Sequence, residues 1–242
     1  MMEKIPYVDK KDVLRWENTL SLVVPKIAVS IDDGILQGGR LLALHLRNSL
    51  TAGAVAYALG NVASFFSCYR KAVDRFQWFF DDKFKAQVEH LYIYETSEQV
   101  LCAALIIRSP NILELGKQIL PFSTGQSDAR SDFIALLAAL LNGDMVQAGE
   151  IAQAWIDLPE ILIGINLPHA ILAIITGDLD DFLKHVLQAT LEYDGYVASE
   201  ARGTPEAVVF VRGAALLRLF EFVNDTKISK DGLDVRLVPV EE

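Results

Sequence analysis

Large apolar residues recur along this chain at the three- and four-residue steps of a helical face, from near its beginning almost to its end. Between residues 128 and 142 they fall at Phe133, Leu136, Leu137, Leu140 and Leu141, the single stripe of an amphipathic helix. The next segment repeats the spacing at Met145, Ala148, Ala152, Trp155 and Ile156. From residue 178 to about 193, Leu179, Phe182, Leu183, Val186 and Thr190 share one side, and Asp180, Asp181, Lys184 and Gln188 share the other. The same pattern predicts helices over 12–24, 36–60, 62–80, 82–94, 97–108 and 110–120. Pro25, Pro110, Pro121, Pro159 and Pro168 are expected mostly at their edges, because proline disrupts a helix interior. Thr204-Pro205-Glu206 supplies an N-cap, a first-turn proline and an early acid for a further helix over 207–222. Residues 233–240 alternate enough to predict a short extended tail, and no series of strands is present to build a sheet.

The joints between these segments add a topology. Gly143-Asp144 and Gly177-Asp178 each follow an apolar run and precede another helix. Glycine takes the left-handed residue after a helix, and aspartate caps the next one. Each pair therefore reads as a tight turn inside a helical hairpin. Their separation matches the tetratricopeptide period of about 34 residues, although the residues that usually mark that repeat are missing. The expected fold is all-α: one domain over residues 1–242, made of stacked antiparallel helical hairpins, either tetratricopeptide-like or an irregular helical bundle, with the extended tail at its end.

Composition narrows the functional classes. A chain of 242 residues that is 52% hydrophobic and 22% charged builds one substantial core and is not disordered. With 32 acids against 22 bases, the formal charge of −10 argues against nucleic acid and favours a basic partner. Cys68 and Cys102 show no disulfide or zinc spacing, and the first eleven residues carry charges with no apolar run behind them. A cytoplasmic location is the expectation. No charged residue occurs between Arg47 and Arg70, a window about long enough to span a bilayer. It is rich in small and polar residues, including Asn48, Ser49, Thr51, Gly53, Gly60 and Asn61, which predicts a packed core helix and no membrane span.

Candidate chemistry is sparse. Asp181 and His185 stand four apart on one helix, an arrangement expected of an ordinary surface pair, since a metal site needs further ligands. His169, inside an apolar stretch, reads as a structural histidine, and His45 and His90 sit in helices without a motif. Asp178, Asp180 and Asp181 lack the register of a calcium loop, and the stretch from Gly34 to Gly39 lacks a nucleotide-binding spacing. No nucleophile elbow is present, and Asp32-Asp33 and Asp81-Asp82 read as helix starts. The rings and bases between Phe65 and Phe80 fit a helix with a packed face and a wet face. No catalytic residue, metal or cofactor is expected.

The C-terminal third carries a resemblance. The helix over 182–193, the stretch Glu192-Tyr193-Asp194-Gly195-Tyr196, the Thr204-Pro205-Glu206 lead into an Ala/Leu-rich helix, and the closing Leu233-Asp234-Val235-Arg236-Leu237-Val238-Pro239 resemble the end of the immunity protein 49 family of bacterial polymorphic toxin systems. That resemblance implies a cytoplasmic antidote that neutralises a co-produced toxin by binding it tightly. An acidic helical surface suits the cationic cleft of a nuclease toxin. Asp180 and Asp181, with Glu192 and Asp194 nearby in sequence, are the candidate partner-binding residues, because Leu179, Phe182, Leu183 and Val186 already account for the buried side of their helix. Two rivals remain open: a tetratricopeptide-like scaffold holding a peptide in a concave groove, and a helical enzyme with acids in a buried pocket.

Overall fold

A computed structural model of the chain describes residues 5–32, 39–80, 90–123, 129–157 and 166–237. Among them are ten α-helices and no strand, as the apolar periodicity predicts. They are α1 (Lys10–Asp32), α2 (Gly39–Ala58), α3 (Val62–Phe76), α4 (His90–Ile106), α5 (Ile112–Ser123), α6 (Ala129–Leu141), α7 (Met145–Ile156), α8 (Asn166–Thr176), α9 (Leu179–Tyr196) and α10 (Val211–Val223). Asp33, Gly34, Gly38, Asp81, Asp82, Pro159, the 82–89 part of the predicted 82–94 helix, and 238–240 of the predicted tail lie outside the described residues.

Several boundaries differ from the expectation, each for a local reason. The break expected between residues 94 and 97 is absent, and α4 runs through it. The Thr96 hydroxyl donates to the Tyr92 carbonyl at 2.8 Å and the Ser97 hydroxyl to the Ile93 carbonyl at 2.6 Å, so both polar groups are satisfied inside the helix. Pro25 lies within α1 and Pro121 within α5, not at their edges. Pro168 falls in the first turn of α8, where the missing N–H has no partner to lose. The helix predicted to reach residue 80 turns into a 3₁₀ segment at Gln77–Phe80. The tail is not an extended strand where it is described, because Val235–Leu237 form a 3₁₀ turn.

The two Gly-Asp joints behave as their chemistry requires. Gly143 and Gly177 have φ of +76° and +71°. The Asp144 and Asp178 amides donate back to the Ala139 and Ala173 carbonyls, which closes the preceding helices. Their carboxylates accept from the Gln147 and Asp181 amides and open the next ones. Gly60-Asn61 is a third joint of the same kind: Gly60 has φ +81°, Asn61 donates to Ala56, and the Asn61 side chain accepts from Ser64.

From α1 to α9 each helix packs against the next, so the chain advances as a stack of hairpins. The last helix breaks the series. α10 packs against α4, α6, α8 and α9. It buries Gly213, Ala214, Ala215, Leu216, Leu217, Leu219 and Phe220, while Phe222 near its end is half exposed. The chain's last helix therefore folds back onto the stack. The stack also curls back on itself, since the Gly203 amide donates to the Tyr7 carbonyl at 3.0 Å and the 3₁₀ turn Pro205–Ala207 lies on α2. One continuous apolar core includes side chains from all ten helices.

The charge-free window between Arg47 and Arg70 forms the α2–α3 hairpin. Gly53 permits this close approach, because a Cβ there would stand 2.8 Å from the Tyr69 ring. Among the described residues no helix is long and apolar enough to cross a membrane.

Candidate functional site

All four nominated acids lie on α9, and the structure separates them. Asp178 caps the helix, Phe182, Val186, Ala189 and Thr190 form its buried stripe, and the acids occupy the remaining faces. Asp180 is exposed, with no side-chain partner among the described residues. Asp181 meets Lys184 Nζ at 3.2 Å and His185 Nε2 at 3.4 Å, so the pair expected from the four-residue spacing forms.

That pair continues into α8. His185 Nδ1 lies 2.8 Å from Asn166 Oδ1, which places the ring proton on Nδ1, and the Asn166 amide donates to Glu192 Oε1 at 2.7 Å. His169 stacks on His185 with ring centroids 4.9 Å apart. Burial holds His185 below its ordinary pKa, opposed by the Asp181 carboxylate and reinforced by Lys184 and His169. His185 links α9 to α8 through Asn166.

Asp194 faces inward. It accepts from Arg236 Nη1 at 2.5 Å, while Asp234 takes the same guanidinium through Nε at 2.9 Å and Nη2 at 2.6 Å. Arg236 is 1% exposed and stands over the Tyr193 ring. The Arg236 carbonyl accepts from the Phe210 amide, and the Val235 carbonyl accepts from the Tyr57 hydroxyl. The closing segment is therefore a clasp joining α9, α10 and α2, and the Asp194 carboxylate is committed to it.

A cleft of about 610 Å³ opens where α9 returns against α2 and α4. Tyr69 belongs to its lining, 2% exposed, and its hydroxyl has no hydrogen-bond partner among the described residues. Arg212 Nε donates to the buried Glu98 at 2.6 Å, and Arg47 pairs with Glu95 at 2.8 Å. Across the opening, Glu206 accepts from the Tyr196 hydroxyl at 3.1 Å, and Tyr193 stacks on Phe210 with centroids 4.4 Å apart. Of the four nominated acids, Glu192 alone lines this cleft. The nomination missed Tyr69, Glu98, Glu206 and Arg212, which come from separate segments whose sequence spacing carries no signal.

The cleft's carboxylates Glu98, Glu192 and Glu206 all accept hydrogen bonds. Burial raises the thiol pKa of both Cys68 and Cys102, which keeps them protonated and poorly nucleophilic. Among the described residues no group of three or more His, Cys, Asp or Glu is placed to hold a metal ion. Comparison with protein families, with characterised proteins and with solved structures finds no match in any of the three.

Proposed function

We propose that the chain is a protein-binding antidote of the immunity type, which attaches to a basic cognate toxin through the acidic half of its helical stack. The observation that carries this reading is where the charge lies. Residues 131–201 contain eleven carboxylates and a single lysine, Lys184, with no arginine, while the rest of the chain is balanced. The whole formal charge of −10 thus belongs to this stretch, which runs from within α6 to just beyond α9.

Much of that charge is exposed. Asp144, Glu150 and Asp157 accompany α7, and Asp178 and Asp180 begin α9. Among them stand the exposed apolar side chains Val146, Leu187 and Leu191. Apolar anchors surrounded by charge of one sign fit a protein interface, in which the charges steer the approach and the anchors hold the docked pair. The resemblance in the C-terminal third favours the same role.

Three exposed acids without structural duties, Glu150, Asp180 and Glu200, provide the test. Glu150→Lys with Asp180→Lys and Glu200→Lys should leave the unfolding midpoint nearly unchanged, within about 0.5 kcal/mol for each exposed site. Association with the basic toxin at low salt should slow about tenfold or more and lose most of its salt dependence. The charge-matched control, Glu17→Lys with Asp74→Lys and Glu114→Lys, should associate like the wild type. Equal rates for both triple variants in stopped flow contradict the assignment of this half.

A further inference from the structure

We propose that the cleft between α2, α4 and α9 is a socket for one arginine side chain of the partner. This rests on the reading above and adds the chemistry of a single anchor to it.

The cleft has the size of a ligand site, within the usual range of about 300–1,000 Å³. Its charges do not cancel. Arg47 and Arg212 are paired in place with Glu95 and Glu98. Glu192 and Glu206 accept only from neutral donors, the Asn166 amide and the Tyr196 hydroxyl. Among the described residues these two carboxylates therefore have no cationic partner.

The other surfaces suit a planar cation on an apolar stem. The Tyr193 ring is already covered by Phe210 and Arg236, and the neighbouring Tyr196 ring is 47% exposed. A guanidinium stacks on such a ring and forks two hydrogen bonds to carboxylate oxygens, whereas an ammonium offers no plane to stack. Leu50, Ala54 and Val209 supply apolar wall for the stem. The hydroxyl of Tyr69, a buried residue of the lining, adds an acceptor. The same combination occurs inside the molecule, where Arg236 lies over Tyr193 between Asp194 and Asp234.

The probe is N-acetyl-L-arginine methylamide, titrated into the full chain and followed by nuclear magnetic resonance of the tyrosine rings. We expect saturable shifts at Tyr69, Tyr193 and Tyr196, weaker binding of the lysine analogue and none of the citrulline analogue, which keeps the shape without the charge. Glu192→Gln with Glu206→Gln should weaken binding about tenfold or more, and Tyr69→Phe should weaken it less. Glu17→Gln with Glu114→Gln, which removes equal charge from the far part of the chain, should leave it unchanged. Saturation by citrulline, equal binding of lysine and arginine, or non-saturating shifts would each overturn the proposal. Protection against the toxin is a separate readout: an intact antidote whose cleft ignores arginine refutes the socket alone, and a wild-type chain that never protects refutes the antidote reading.

Discussion

Arg236→Met should destabilise the fold by about 3 kcal/mol, the lower end of the cost of removing one partner from a buried ion pair. Arg236 is 1% exposed, and methionine leaves Asp194 and Asp234 facing a site that has lost its cation. Both carboxylates keep some contact with water, which places the estimate at the low end. The pH dependence identifies the cause. Burial raises the Asp234 carboxyl, but the hydrogen bonds from the Arg236 side chain and backbone outweigh it and hold the carboxyl below its ordinary value. A carboxyl depressed in the folded state contributes stability above its unfolded pKa of about 3.9, and the contribution disappears as pH falls through the folded value. The gap between wild type and Arg236→Met should therefore be full at pH 7 and shrink below about pH 4. Urea unfolding at pH 7 and pH 3 checks both parts. A loss under about 1 kcal/mol at pH 7, or a gap that ignores pH, contradicts the clasp.

Phe220→Ala should cost about 3–5 kcal/mol, the range for removing a fully enclosed aromatic ring. Phe220 lies on α10, is 1% exposed and packs on Phe182 of α9 with ring centroids 4.5 Å apart. Phe222, two residues further along the same helix, is half exposed and lines a second, smaller cleft. Phe222→Ala should change stability by no more than about 0.5 kcal/mol. The contrast tests whether α10 packs on the stack with the face observed. Similar thermal midpoints for the two variants would mean that it does not.

The hairpins were legible because their signals are local. A glycine that closes one helix and an aspartate that opens the next stand side by side at Gly143-Asp144 and Gly177-Asp178, and the two functions need nothing from the rest of the chain. Gly60-Asn61 carried the same signal with asparagine in the cap position, and it read only as a helix break. The continuity of α4 was hidden because Thr96 and Ser97 are equally suited to a cap and to bonding back inside a helix.

The place of α10 was not legible, since an apolar helix has the same sequence whether it ends a stack or folds back onto one. The tail misled for a related reason. Arg236 occupies a polar position in an alternating stretch, and nothing in that alternation distinguishes a solvated arginine from one enclosed between two aspartates. Among the nominated acids, the four-residue spacing predicted the Asp181–His185 contact. The link from His185 through Asn166 to Glu192 depends on how α8 meets α9, and the commitment of Asp194 depends on where the tail goes.

The proposed antidote reading is tested most directly by growth of cells that express a basic protein toxin, sought among the genes neighbouring the one that encodes this chain. The wild-type chain, supplied on a second plasmid, should restore growth, and the chain carrying Glu150→Lys, Asp180→Lys and Glu200→Lys should restore it poorly at equal soluble expression. Failure of the wild-type chain to protect, or full protection by the triple variant, would contradict it.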